Sequence, residues 1–256
     1  MKLAIITGAS SGIGREFALQ LYERGDADYF WLIARRASRL EKLKEELGGK
    51  ALVIPCDLTS EEGILSIKQA LEENKPEVKY LVNASGFGKF GYYDEMGDKE
   101  VCDMIDLNVK ALVRITHMTI PYMTRGSHII QLASGSCFTP LPAFNVYASS
   151  KSFVLHYTKA LKYEVRHLGI TATAFCPGWV NTEFFSVAER DECTQPKQKK
   201  PLLNCTRVVR KAIKDANRGK VMSVTNWYTK LQHVLFKILP DGILTRTWIK
   251  MLNKKR

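Results

Sequence analysis

The sequence is 256 residues long, 45% apolar and 25% charged, an ordinary globular composition with enough chain to bury a sizeable core as one domain. Its +12 charge is lopsided: residues 196–256 carry 16 Lys and Arg against 2 Asp and Glu, while residues 1–195 carry 22 against 24, so the main body needs no nucleic acid or other polyanionic partner. No apolar run approaches the roughly 18–20 residues of a bilayer span, and the 6 Cys and 5 His are scattered without metal-ligand spacing, which argues against a membrane-embedded or metal-dependent protein.

Leu3–Thr7 reads as a strand entered directly from the N-terminus, without the apolar region and cleavage site of a signal peptide. With unpaired thiols scattered along the chain, a reducing, cytoplasmic setting is expected. A helix at Arg15–Arg24 follows, with Phe17, Ala18, Leu21 and Tyr22 on one stripe, then a strand over Tyr29–Ala34 and a Glu/Lys-rich helix over Ser38–Leu47. Ala51–Cys56 is the third strand, before a helix near Glu61–Glu73. Tyr80–Asn83 is the fourth, before helical stretches reaching Met123. His128–Ala133, a helix from about Tyr147 to Leu168, and a sixth strand at Thr171–Cys176 complete the alternation.

Continuous apolar strands alternating with amphipathic helices predict an α/β fold: a doubly wound parallel sheet with helices on both faces, spanning residues 1–256 as a single domain. A polar, basic segment at about 183–201 reads as a mobile lid, and residues 226–256 as a basic amphipathic helical tail. In that tail Trp227, Tyr228, Leu231, Val234, Leu235, Ile238 and Leu239 form an apolar stripe ended by Pro240. Leu244, Trp248, Ile249 and Leu252 form a shorter one running into Asn253-Lys254-Lys255-Arg256. Two readings stay open for it: packing over a substrate pocket or partner subunit, or peripheral attachment to an anionic membrane surface.

Thr7-Gly8-Ala9-Ser10-Ser11-Gly12-Ile13-Gly14 lies between the first strand and the first helix. There Gly8 allows a tight turn, Gly12 lets backbone approach a pyrophosphate and Gly14 permits close helix–strand packing, while the helix N-terminus offers oriented N–H groups. The second strand ends at Ala34, where an NAD-selective site would carry an acidic residue for the ribose 2′-hydroxyl, and Arg35-Arg36 follow. A guanidinium at Arg35, with the Ser10 and Ser11 hydroxyls beside it, suits a 2′-phosphate, so NADP(H) is the expected cofactor. The alternative is that Arg35 and Arg36 are solvated surface charges.

Tyr147-Ala148-Ser149-Ser150-Lys151 places a phenol and an ammonium one helical turn apart on one face. A phenol of pKa about 10 is a poor acid–base group at neutral pH. At an effective dielectric of about 20, a cation roughly 4 Å away contributes about 4 kcal/mol, which would bring Tyr147 to near 7. Ser134 lies 13 residues upstream, just past the fifth strand, at the end where open α/β sheets bind ligands. Its hydroxyl could donate to the same substrate oxygen, or simply cap a turn.

Together these residues resemble the short-chain dehydrogenase/reductase family, over about residues 3–182. Thr7–Gly14 matches its TGxxxGxG loop, Asp57-Leu58-Thr59 the segment bordering the adenine, and Asn83-Ala84-Ser85-Gly86 its NxxG, with Ser85 where Ala is usual. Asn108 matches the active-site asparagine, Ser134, Tyr147 and Lys151 the Ser…YxxxK signature, and Pro177-Gly178 the turn after strand six. Val180 and Thr182 fall at positions that approach the nicotinamide carboxamide. The resemblance implies a Rossmann-type fold and hydride transfer between NADP(H) and a ketone or secondary alcohol. It implies Tyr147 as acid/base, Lys151 tuning it and binding the nicotinamide ribose, Ser134 polarising the carbonyl, and Asn108 holding a water in a proton relay. The last 70 or so residues follow no general pattern of the family.

Phe87, Phe90, Phe138, Leu141, Val146, Trp179, Phe184 and Phe185 are candidates for an apolar pocket, which points to a steroid, fatty-acyl or aromatic carbonyl compound. The Gly86–Gly91 run looks like a subgroup containing hydroxysteroid dehydrogenases and ketoacyl reductases. A homodimer or homotetramer is expected. The competing readings are a non-catalytic NADP-binding regulator on the same fold, against which the intact Ser134, Tyr147, Lys151 and Asn108 argue, and a nucleotide-sugar epimerase, whose loop spacing differs.

Overall fold

The apolar runs become seven strands: β1 (Lys2–Thr7), β2 (Tyr29–Ala34), β3 (Ala51–Pro55), β4 (Glu77–Asn83), β5 (Met123–Leu132), β6 (Thr171–Cys176) and β7 (Met222–Val224). They form one sheet in the order β3-β2-β1-β4-β5-β6-β7, every pairing parallel. The structure, a computed structural model, describes residues 1–189, 193–197, 202–225 and 227–254.

The parallel pairings force a crossover after each strand, and the helices cover both faces. They are α1 (Gly12–Glu23), α2 (Ala37–Glu46), α3 (Glu61–Asn74), α4 (Asp98–Ile105), α5 (Leu112–Thr119), α6 (Asn145–Glu164), α7 (Phe184–Ala188), α8 (Cys205–Asn217), α9 (Trp227–Ile238) and α10 (Asp241–Ile249). Successive strand residues feed opposite layers. Ala4, Ile6, Phe30 and Leu32 join Phe17, Val209 and Ile213 under α1 and α8, while Leu3, Ile5, Trp31 and Ile33 join Ile64, Ile115 and Leu161 under α3, α5 and α6. The interior positions of β1, β2 and β6 are therefore buried on both faces, which is why those strands are apolar throughout.

Several elements differ from the sequence expectation. β5 starts five residues before His128, across Thr124, Arg125 and Gly126, with a register shift against β4. That polar stretch hides the strand period. β7 has only three residues and owes its place to pairing with β6. The α4–α5 rod is broken by a π-helical stretch over Asp106–Ala111, which contains Asn108. Such bulges concentrate at functional sites.

The segment expected as a mobile lid is tied down over its described residues. Phe90 N donates to Ala188 O at 3.0 Å, and the fully buried Thr194 donates to Glu95 through N and Oγ1, each at 2.9 Å. Lys197 N donates to Met251 O and Asn253 N to Gln195 O, both at 2.8 Å, so the far end of the tail is stitched to the lid. Residues 190–192 and 198–201 of that segment lie outside the described residues, as do Lys255 and Arg256 of the tail and the side chains of Trp227 and Tyr228.

The C-terminal edge of the sheet rests on a buried carboxylate. Asp215 on α8 is 3% exposed and accepts from Lys211, from Lys220 Nζ at 2.7 Å and from Ser223 Oγ at 2.8 Å. Burial pushes its carboxyl up, but those three donors outweigh it and hold it at about 2, below the ordinary 3.8. This stabilisation is complete above the ordinary value and is lost as pH falls through the folded one. Asp215→Asn is expected to cost on the order of 2 kcal/mol at pH 7 and to flatten acid unfolding between about pH 4 and 2, which urea melts across that range would measure.

Candidate active site

The carboxyl ends of β1, β2, β4, β5 and β6 open into one cavity of about 1410 Å³. β1 lies between β2 and β4, so the loops leaving β1 and β4 diverge there, the position at which open sheets bind ligands. Thr7 Oγ1 accepts from Ala84 N and Ser85 N, each at 3.1 Å, locking the first glycine turn to the segment after β4. Gly8 turns with φ +69°, and a Cβ there would lie 2.9 Å from the Ala84 carbonyl. A Cβ on Gly14 would lie 2.4 Å from Gly8 O, so only glycine lets α1 seat this closely on the strand. The room left by Gly12 is taken on one side by Thr182, 3.2 Å from where a Cβ would sit.

Ser11 is the N-cap of α1, makes no side-chain cap bond, and no acidic residue follows in the first turn. The helix N-terminus therefore offers its donors and partial positive charge to the cavity. Arg36 packs across this turn: Nη2 donates to Ser11 Oγ at 2.7 Å and to Ser10 Oγ at 3.0 Å, and Nη1 donates to Glu183 at 2.8 Å. Arg35 also lines the cavity but is 76% exposed and only 4.0 Å from Asp57. The ordered guanidinium is thus Arg36, where the sequence reading put Arg35 first. The Thr59 backbone N–H, the Thr59 hydroxyl and Arg35 hold the Asp57 carboxyl below its ordinary range. Leu58, Ala84, Ser85, Gly86, Ile13, Pro177, Gly178 and Val180 line the same cavity.

Asn83 does not reach it. Its side chain, 2% exposed, donates to Thr116 Oγ1 and Gln131 Oε1 at 3.0 Å each, pinning β4 to β5 and α5. Asn83 is the last residue of β4, and its amide turns to the neighbouring strand and helix and away from the cavity, which spacing alone does not reveal.

Tyr147 and Lys151 share one face of α6 and are both buried. Lys151 Nζ donates to Leu132 O at 2.8 Å and lies 5.7 Å from the Tyr147 ring centre. The phenol is not brought near neutrality: burial pushes it up, a hydrogen bond from Ser134 only partly offsetting this. The same burial lowers Lys151 to about 8. Loss of solvent dominates both groups, and the expected pull of the ammonium does not bring the phenol down. Ser134 lines the cavity, its Oγ accepting from Ser136 N at 3.2 Å.

Asn108 is fully buried. Its Oδ1 accepts from Phe87 N at 3.1 Å, and its Nδ2 donates to Phe87 O at 2.9 Å and Ser150 Oγ at 3.1 Å. Ser150 in turn donates to Tyr147 O at 2.7 Å. Asn108 thus fastens the loop after β4 to the turn of α6 that carries the phenol.

Most of the remaining wall is apolar, although Lys89, Lys99 and Asp103 also border the cavity. Phe87, Phe90, Leu141, Trp179, Phe184 and Phe185 line it as expected; Phe138 and Val146 do not. Phe138 packs instead with Val154 and Leu155, and Val146 behind Phe90 and Phe144. The tail forms the roof, as the first of its two sequence readings expected: Leu231 and Leu235 of α9, Leu239 just past it, and Leu244 and Trp248 of α10 line the cavity, joined by Thr229, which that reading did not include. Trp248 Nε1 donates to Pro142 O at 2.8 Å, and Val180 bridges Leu203.

A family model described as short chain dehydrogenase matches residues 2–192. The chain belongs to that family, whose chemistry is oxidoreduction at CH–OH groups. Sulfoacetaldehyde reductase 2 of Chromohalobacter salexigens is 35% identical over 193 residues, covering 71% of this chain and 74% of that protein. The 11-beta-hydroxysteroid dehydrogenase B of Sesamum indicum is 33% identical over 189 residues, 71% of this chain and 51% of that protein. A short-chain dehydrogenase from Sphingobium yanoikuyae solved in complex with NADPH shares the fold with a TM-score of 0.81, at 23% identity over 95% of each chain. One from Burkholderia phymatum in complex with NAD gives 0.78 at 21% identity, over 93% of this chain and 94% of that one.

Gly88 is a site residue the sequence did not single out. A Cβ there would lie 2.7 Å from Tyr147 Cδ2 and 3.1 Å from Phe144 Cε2. Gly88→Ala is therefore expected to shift the phenol and lower turnover about 10²-fold, with one cooperative thermal transition retained. Steady-state kinetics beside a calorimetric melt would check both halves.

Proposed function

We propose that the chain is an NADP(H)-dependent reductase of a hydrophobic ketone, interconverting it with the secondary alcohol. The observation that carries this reading is one cavity lined by the Arg36–Ser10–Ser11 cluster, the open α1 N-terminus, Ser134, Tyr147 and an aromatic wall. That donor set suits a dinucleotide bearing a 2′-phosphate. The N–H groups of the Gly8–Gly14 turn would hold the pyrophosphate, Arg36 and Arg35 the 2′-phosphate, Asp57 and Leu58 the adenosine, and Pro177, Gly178, Val180 and Thr182 the nicotinamide end. The dinucleotide supplies the hydride.

The chain's own residues supply the proton. Burial keeps the Tyr147 phenol protonated at neutral pH, the form that donates to the oxygen of a carbonyl under reduction. Ser134 donates to the same oxygen and orients it. Lys151, cationic below about 8, favours the phenolate left behind. Phe87, Phe184 and Trp179 exclude water and suit a steroid, acyl chain or aromatic ketone. A regulator that only bound nucleotide would have no use for the paired phenol and ammonium.

The test is NADPH oxidation against a panel of steroid, acyl and aromatic ketones. Tyr147→Phe should abolish turnover while NADPH still binds, and Arg36→Ala should raise the KM for NADPH far more than for NADH. Reduction should hold steady below pH 8 and fall as Lys151 loses its proton. Full turnover by Tyr147→Phe would refute the mechanism, and equal effects on both cofactors the NADP assignment.

The tail adds a surface. Leu231, Val234, Leu235, Ile238 and Leu239 on and just past α9, and Ile243 on α10, are exposed, and four of them also border the cavity. No described helix is long and apolar enough to cross a membrane. The excess of cations in residues 196–256 favours an anionic bilayer surface over a second copy, whose like charge would repel. Assembly as a dimer or tetramer then uses another face. Sedimentation with phosphatidylglycerol vesicles at low salt should capture the protein, and Ile238→Asp should release it. No capture, or loss of a dimer in light scattering of Ile238→Asp, would count against the bilayer.

A further inference from the structure

Arg36, the ordered guanidinium suited to a 2′-phosphate, already holds a carboxylate together with Arg39. Glu183 accepts from Arg36 Nη1 at 2.8 Å through one oxygen and from Arg39 Nη1 at 2.5 Å through the other. Hydrogen bonds from both guanidinium groups keep its carboxyl at about 2, so it is charged throughout the neutral range. Arg36 belongs to the turn after β2 and Arg39 to α2, whereas Glu183 is the N-cap residue of α7. The ion pair therefore reaches across the cavity, from the adenosine side to the helix that carries the substrate wall. On that helix Phe184 lies 5.3 Å from the Tyr147 ring and Phe185 5.2 Å from Trp179.

A phosphate dianion and a carboxylate cannot both take Arg36 without repelling one another. Glu183 is half exposed, so it can swing to solvent without leaving a buried charge. We propose that Glu183 is a displaceable latch: it occupies the Arg36–Arg39 pair, gives it up when a 2′-phosphate binds, and so frees the N-terminus of α7. The latch rests on the 2′-phosphate reading of the proposed function. It makes Glu183 a determinant of cofactor selectivity and couples cofactor binding to the substrate wall. The affinity for a 2′-phosphorylated nucleotide is reduced by the fraction of molecules with the latch closed, and a nucleotide lacking that phosphate leaves it closed.

The test uses 2′,5′-ADP and 5′-AMP as probes, with calorimetric titration and amide hydrogen exchange, neither of which needs turnover. Glu183→Gln keeps the side chain's shape and removes its charge. It should bind 2′,5′-ADP about tenfold tighter than the wild type, the gain expected for a latch closed in about nine molecules of ten, with 5′-AMP unchanged. In the wild type, 2′,5′-ADP and not 5′-AMP should speed exchange over residues 184–188. If the wild type prefers 2′,5′-ADP but Glu183→Gln binds it no better, or exchange does not respond, the latch is overturned and the 2′-phosphate reading stands. If the wild type shows no preference for 2′,5′-ADP over 5′-AMP, both fall together.

Discussion

Removal of water from one turn of α6 sets the charge states of the phenol and the ammonium it carries. Tyr147 and Lys151 are both buried there, and desolvation acts on them in opposite senses, keeping the phenol protonated and making the ammonium easier to neutralise. The surroundings are shaped to allow this. Two positions after β4 must lack a side chain, since a Cβ on Gly86 would lie 2.7 Å from Asn108 Oδ1 and one on Gly88 would strike the Tyr147 ring. Asn108 and Ser150 then tie the same loop to the backbone of Tyr147. Tyr147 is therefore positioned through its backbone as well as by the rings packed against it.

The sheet order brings the remaining parts to it. Because β1 is flanked by β2 and β4, the glycine turn, the arginines after β2 and the loop after β4 surround one opening. Thr7 couples two of these loops through a single hydroxyl. Gly135 N donates to Pro177 O at 2.7 Å, joining the Ser134 turn to the turn after β6. These loops are tethered to one another and to the strand ends, so the site is held by rigid elements.

Much of this is legible in the sequence, and the exceptions share a cause. β2 and β6 are read to the residue because strands buried on both faces are apolar throughout. The glycine turn and the Tyr–Lys spacing are local patterns, and the structure gathers them into one region. What escapes is set by contacts between distant segments. β7 needs β6 to exist, and the bond of Asn83 to Gln131 depends on the register that sets β4 beside β5. Arg36 rather than Arg35 packs on the serines because of a local backbone bend, φ −90° and ψ 85° at Arg36. Spacing places the phenol and ammonium on one face but says nothing of the solvent around them, so their charge states could not be read from it.

The roof of the cavity comes from a different stretch of chain than the floor. The floor is built from the strand ends and their loops, whereas the roof is α9 and α10, joined to the body by the pairing of β7 with β6 just before α9 and by the bridge Pro196–Leu252 just after α10. These attachments run largely through main-chain atoms, which any side chain leaves in place. The inward faces of the two helices can therefore diverge without disturbing the strand ends and loops beneath them. The shape of the cavity's outer half becomes an interchangeable module, separable from the floor that carries Ser134 and Tyr147.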